Sequence, residues 1–379
     1  MTHTEEERGE LRLRKVVVLI FIISQLFLSG CWDQRLLKSS RLVYSTAFDL
    51  GGNDSKVEGT VIIRDFKGGV PTNLEVNAEG YSIRDLRINL ENRISGNLEQ
   101  SKNQVYLLGE DLAKEDIYDF MDIFFRDPKN SISSKVAVTK GTAGDYLRKL
   151  SMNNVLISEF IIESIASSES QSKVPKVNMQ TICTVMFDEG KDFMLPLFKM
   201  KEQEIIQDGT ALFSGRRMTG ELTDEESTIL LIMTKQEGKV ARFVSKVNAD
   251  KQPNIQNYIS YNLMNTKVKM RILSNTPGNI RVGLHLKADI DVAEYPPNQL
   301  FTKKEIKRLN KEIEGDLTSR IEDSIKKIQE ANSDLFGVGR ELIAFHPKEW
   351  NRMNWREEYP TIHFETNVQA EITGNGIIN

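Results

Sequence analysis

Cysteine is nearly absent from this chain. Of its 379 residues only Cys31 and Cys183 carry a thiol, which excludes a disulfide-stapled scaffold and any Cys-x-x-Cys metal or redox site. Histidine is scarce as well: His3, His285, His346 and His363 include no pair at helical ligand spacing, so a zinc hydrolase is excluded. His363, Phe364 and Glu365 spell half of a zinc deaminase signature whose cysteine half is missing. An excess of positive charge is lacking too. With 50 Lys and Arg against 54 Asp and Glu, the net charge of −4 gives no global field for gathering nucleic acid. There is no Walker loop and no Gly-x-Ser-x-Gly elbow, and Gly337-Val338-Gly339 lacks the third glycine of a dinucleotide loop. No catalytic, metal or cofactor-binding residues are therefore singled out, and only carboxylates distant in sequence leave an active site open.

A long hydrophobic run is the last thing missing. Val16 to Leu28, interrupted only by Ser24 and Gln25, is the longest apolar stretch, well short of the roughly 20 residues that span a bilayer. It follows the basic residues Arg12, Arg14 and Lys15 and ends in Leu28-Ser29-Gly30-Cys31, the layout of an export signal. The thiol directly after small residues resembles a bacterial lipobox. That resemblance implies a signal peptide over residues 1–30, removal of it, and a diacylglycerol on the Cys31 sulfur with an acyl chain on its new amine. One acyl chain holds a protein to a membrane only marginally, whereas two or more hold it stably. If Cys31 carries lipid, Cys183 is the one remaining thiol. It lies in Thr181 to Phe187, an alternating stretch that reads as a strand, and is expected to fill core.

Length and pattern predict two or three α+β domains, with mixed or antiparallel sheets and packed helices. Leu36 to Leu50 and Val57 to Phe66 read as a hairpin around Gly51 to Asp54. Ser82 caps a helix carrying Ile83, Leu86 and Leu90, and a second helix runs from Ile117 to Phe125 up to Asp127 and Pro128. Lys135 to Thr139 reads as a strand, after which Thr142 caps a helix with Tyr146 and Leu147. The polar stretch Ser167 to Ser172 reads as a loop and a candidate for mobility, since nothing apolar anchors it. Charged Lys199 to Glu204 marks the major boundary, so the expected domains are 31–200, with a smaller middle domain around 151–205, and 206–379.

The C-terminal half carries the clearest periods. Ile280, Val282, Leu284, Leu286, Ala288, Ile290 and Val292 alternate with polar residues, a half-buried strand. Val268 to Ile272 and Ile362 to Ile372 repeat the pattern. From Thr302, a helix with Ile306, Leu309, Ile313, Leu317, Ile321, Ile325 and Ile328 presents a narrow apolar stripe, so a long amphipathic helix is expected on an antiparallel sheet. Asp224, Glu225 and Glu226 after Thr223 suit a helix N-terminus. Leu335 to Phe345 reads as a further helical segment whose glycines allow close packing.

Cys31-Trp32-Asp33-Gln34-Arg35 resembles the start of mature GerAC-type proteins, the lipoprotein C subunits of bacterial spore germinant receptors. Further matches are Asn92 to Ser95, Tyr106 to Glu110, Phe124 to Pro128, Gly209 to Phe213 and Leu222 to Glu226. The most specific is Asp334 to Gly339 with Arg340, Glu341, His346, Pro347 and Trp350. The resemblance implies a chain anchored to membrane lipid on the outer face of the spore inner membrane, working with A and B type receptor subunits, with no catalysis and no cofactor. Which small molecule, if any, it binds is left open. The alternative from another class is a solute-binding lipoprotein of an import system, which shares the anchor but has two similar lobes around a cleft.

Overall fold

The structure is a computed structural model that describes residues 14–21, 24, 40–52, 56–67, 70–127, 130–152, 157–202, 204–249, 251–298, 300 and 302–374. The chain divides into two units, Met1–Ser40 and Arg41–Asn379. In the first unit residues 14–21 are helical (α1), and the side chains of Val16 to Phe21 are 52–64% exposed. No helix among the described residues is long and apolar enough to cross a membrane. Cys31 and the rest of the expected lipobox, together with Leu36 to Ser39, lie outside the described residues.

The second unit is α+β, and its described residues form two sheets. The larger is mixed, in the order β3-β2-β1-β5-β6-β7-β8-β9, with β4 (Asn97–Glu99) paired to β1. Strands β1 (Ser40–Leu50), β2 (Val57–Lys67) and β3 (Val70–Gly80) form an antiparallel meander. β5 (Val105–Gly109), β6 (Lys135–Thr139) and β7 (Met194–Lys201) run parallel to β1. β8 (Glu204–Ser214) and β9 (Arg217–Leu222) finish the sheet antiparallel. Parallel neighbours require crossovers, and helices supply them on both faces. On one side α2 (Ile83–Glu91), α4 (Ile117–Arg126) and α7 (Met179–Met186) bury Leu86, Leu90, Met121, Phe124 and Ile182 against Val61, Tyr106 and Val138. On the other, α5 (Ala143–Met152) and α6 (Ile157–Ser170) pack Tyr146, Leu147, Ile161 and Ile165 on Ala47, Leu107 and Ala137. Between β5 and α4 lies the short α3 (Glu110–Ala113).

The smaller sheet has the order β10-β11-β12-β13. β10 (Ala241–Lys246), β11 (Tyr258–Thr276) and β12 (Asn279–Glu294) are antiparallel, and Gly278 at φ 75° turns the long β11–β12 hairpin. The 28-residue helix α9 (Lys303–Glu330) lies on one face and buries Leu309, Ile313, Leu317, Ile321 and Ile325 against Val282, Leu284, Leu286 and Ile290. The expected helix on a sheet is therefore present, but its fourth strand corrects the antiparallel expectation. β13 (His363–Gly374) pairs parallel to β12, because α9 carries the chain back to the starting end of β12 before β13 begins. Helix α8 (Asp224–Met233) is buried from Ser227 to Met233 and bridges the sheets, with Leu230 and Leu231 on Met194 and Leu212 while Ile229 and Ile232 join the C-terminal core. As expected, Thr223 and Glu226 cap it reciprocally.

Three local expectations are corrected. Thr181 to Phe187 is not a strand: Asn178 and Thr181 form a capping box that starts α7, and Met179, Ile182 and Met186 recur at steps of three and four. Cys183 sits on the half-buried side of that helix, not in the core. Ser167 to Ser172 is not a loose loop. α6 runs through Ser170, and Ser172, fully buried at φ 60°, donates to the Val240 carbonyl at 2.7 Å and accepts from Gly238 N at 2.8 Å. Hydrogen bonds do here what apolar anchors do elsewhere, which composition cannot register. At the expected boundary, Lys201 pairs with Glu204 where β7 and β8 meet in the large sheet. The N-terminus of α5 is held by a distant residue: Asp49 on β1 accepts from Ala143 N at 2.7 Å and Gly144 N at 2.8 Å.

Candidate functional site

Among the described residues the most deeply buried carboxyl groups lie where the end of α9 meets the residues just ahead of β7. After α9 the chain bends at Asn332 (φ 49°) into Ser333 and Asp334, both at 0% exposure. The Asp334 carboxylate accepts three backbone N–H groups, from Gly337 and Gly339 at 2.8 Å and from Val338 at 3.0 Å. It thereby caps α10 (Val338–Phe345) from inside its own loop. Gly337 is favoured by its backbone. Its φ of 72° suits no branched side chain.

A second carboxylate ties this loop to the large sheet. Asp192, just ahead of β7, accepts from Asp334 N at 2.7 Å and from Gly215 N, in the β8–β9 turn, at 2.6 Å. Its two oxygens also take a bidentate pair from Arg356, at 2.7 and 2.8 Å. Arg356, on α12 (Trp355–Glu358), reaches Ser214 Oγ and the Asn332 carbonyl as well. Ser333 Oγ donates to the Phe213 carbonyl at 2.7 Å, and Thr219 Oγ1 to that of Ala331 at 2.6 Å. On the flank, Arg340 pairs with Asp188 while its N–H donates to Gly190. Gly190 and Gly339 meet so closely that a Cβ on Gly339 would fall 2.8 Å from Gly190 Cα and from the Trp355 ring. The expected glycine-mediated packing is thus present, with Gly190 as its unforeseen partner.

Burial pushes the Asp334 carboxyl up to about 7 against the pull of its three N–H donors, with the nearby Asp192 charge adding to the rise. Burial and the Arg340 charge lower Lys191 beside it. Every carboxylate oxygen in this knot has donors, and no hydroxyl or thiol lies against a base, so its chemistry is that of a joint. Beside it, Met186, Phe187, Trp350, Met353 and Trp355 line an open groove of about 750 Å³.

The remaining reactive side chains are scattered. Burial raises the Cys183 thiol above its ordinary value, which disfavours the nucleophilic thiolate. His285 bonds Asn367 at 2.8 Å and His346 bonds Asn275 at 2.9 Å, while His363 is exposed at the start of β13. Among the described residues no three His, Cys, Asp or Glu side chains are grouped to hold a metal ion. The sequence pointed to Asp334 to Trp350 as distinctive but missed Asp192 and Arg356, which stand 164 positions apart and carry no local signature.

These features define a two-sheet α+β protein closed by a buried ionic joint, and the class has a name. Residues 33–200 match the spore germination protein N-terminal domain, and residues 208–376 match the spore germination B3/GerAC-like C-terminal domain. The chain belongs to the GerAC family of spore germination proteins, which is not known as an enzyme family. It is 22% identical to the spore germination protein GerQC of Bacillus cereus, over 95% of this chain and 98% of that one. It is equally 22% identical to spore germination protein KC of Bacillus subtilis (strain 168), over 96% of each chain. The crystal structure of the GerBC protein shares the fold, with a TM-score of 0.56 at 18% identity, covering 87% of this chain and 97% of that one.

Proposed function

We propose that this chain is a lipid-anchored, non-enzymatic subunit of a spore germinant receptor, held through Cys31 at the outer face of the spore inner membrane. There it supports nutrient-triggered germination by assembling with A and B type partner subunits. One observation carries the reading: the Leu28-Ser29-Gly30-Cys31 run ends two residues before the first family match begins at 33. The exposed apolar surface of α1 accords with a segment that is used in export and then lost. We take 31–200 and 206–379 as the working halves, joined by the shared large sheet and by the Asp192–Asp334–Arg356 knot.

The anchor holds the body at the bilayer and the joint keeps its two halves in one orientation, so that partner subunits meet a fixed surface. Replacing Cys31 by Ala tests this in spores. The variant is expected to leave the membrane fraction and to lose nutrient germination, while germination triggered downstream of the receptor stays normal. Full membrane retention with normal nutrient response would overturn the proposal.

A further inference from the structure

The face of the small sheet turned away from α9 is uncovered, and its part nearer the β11–β12 turn is basic. On β11, Lys267, Lys269 and Arg271 are exposed on that face, and on β12 so are Arg281 and Lys287, with His285 half-buried between them. Register sets Lys267 directly across from Lys287 and Lys269 across from His285. Like charges directly opposite on neighbouring strands are about 5 Å apart at Cβ and destabilise the sheet. No described carboxylate is ion-paired with Lys267, Lys269, Arg271 or Lys287, although the whole chain is net acidic. The acids of this face are engaged or gathered at one end of β12, beginning with Asp289 two residues past Lys287. Glu365 is tied to Arg281, and Asp289 takes an amide from Asn265 towards the far end of β12, where Asp291 and Glu371 also stand. Gly283 leaves a hollow between Arg271 and Glu365, and the hollow widens into an open groove of about 500 Å³ edged by Leu273, which is 51% exposed.

We propose that this face docks on a bilayer rich in anionic phospholipid headgroups. The inference rests on the reading that Cys31 tethers the body to a membrane. A broad, shallow array of unpaired cations beside one exposed leucine suits many headgroups spread in a plane, each cation contributing about 1 kcal/mol near such a surface. A tether makes that modest attraction effective, since the second contact becomes intramolecular. The face then lies against the membrane, and the α9 side with the joint is turned to the partners. The unfavourable Lys267–Lys287 pairing is relieved when anions lie over it.

Full-length protein purified from membranes is titrated with vesicles of phosphatidylcholine alone or with one third phosphatidylglycerol, and binding is read by sedimentation. At about fivefold for each of the four unpaired cations, phosphatidylglycerol should tighten binding by roughly several hundredfold, and high salt should abolish the gain. A variant with Lys267→Gln, Lys269→Gln, Arg271→Gln and Lys287→Gln should bind phosphatidylcholine as before and lose the gain. Equal wild-type binding to both vesicles, or a gain that survives in the variant, overturns the proposal. So does binding of soluble polyglutamate without a phosphatidylglycerol gain, which would assign the face to an acidic protein. If that variant misfolds, Lys287→Gln alone should lose about fivefold of the gain, and an undiminished gain overturns the proposal. A Cys31→Ala protein reports separately on the anchor, through its binding to phosphatidylcholine.

Discussion

The two sheets solve the burial problem differently. In the large one, β5 reads as buried at all five positions and β6 at four of five, because helices cover both faces. In the small one, β10 and β12 alternate buried and exposed along most of their length, because only α9 and its neighbours cover one side. A strand wrapped on both faces has no wet side to carry information, while a half-covered strand leaves a side on which charge can be displayed. The basic face of β11 and β12 exists for that reason, and the large sheet has no counterpart at its centre.

Mutations can break this comparison, and the largest effect belongs to the covered side of the small sheet. Ile321→Asp places an unpaired carboxylate at a site with 0% exposure between α9 and the sheet, at a cost of about 4 kcal/mol or more. Chemical denaturation with circular dichroism should show loss of the C-terminal half, and an unchanged midpoint would refute the packing. Next comes the joint that links the sheets. Arg356→Ala leaves Asp192, whose side chain is 1% exposed, without its countercharge, and should destabilise by about 3–5 kcal/mol. An urea midpoint equal to that of wild type would show the knot to be dispensable.

The large sheet has its own buried carboxylate, and pH sharpens the contrast. Burial raises Asp49 from 3.8 to about 6 against its N–H donors from Ala143 and Gly144. A raised folded value favours the protonated form, so this contribution is fully present below pH 3.8 and is lost as pH rises through about 6. At 1.36 kcal/mol per pKa unit it amounts to at most about 3 kcal/mol. Groups such as Glu305, held at about 2 chiefly by Arg308, act in the opposite sense at lower pH, so the readout is a difference. Between pH 4 and 7 the stability of wild type relative to Asp49→Asn should fall, and a flat difference would exclude the assignment. The smallest effect is at α8: Thr223→Ala removes one side of a capping box and should cost about 1 kcal/mol, seen as a shift of a few degrees in Tm.

How much could be read in advance follows the same division. Strand β12, helix α9 and the Thr223 cap were legible because each repeats a period or a local motif over neighbouring residues. The parallel direction of β13 was not, since an alternating strand looks the same in either direction. Nor was the packed state of Ser167 to Ser172, whose anchors are hydrogen bonds to residues almost 70 positions away. Cys183 misled because Thr181 to Phe187 alternates over a window too short to separate a strand from a helix. The buried joint was half visible: Asp334 and its glycines form a compact motif, while Asp192 and Arg356 become a pair only after both sheets have formed.

Intact-mass analysis of the protein extracted from spore membranes decides whether the body is lipid-anchored. The expected species begins at Cys31 and is heavier than its amino acids by a diacylglycerol, with or without a further acyl chain. A free Cys31 thiol, or a chain still carrying residues 1–30, would contradict it.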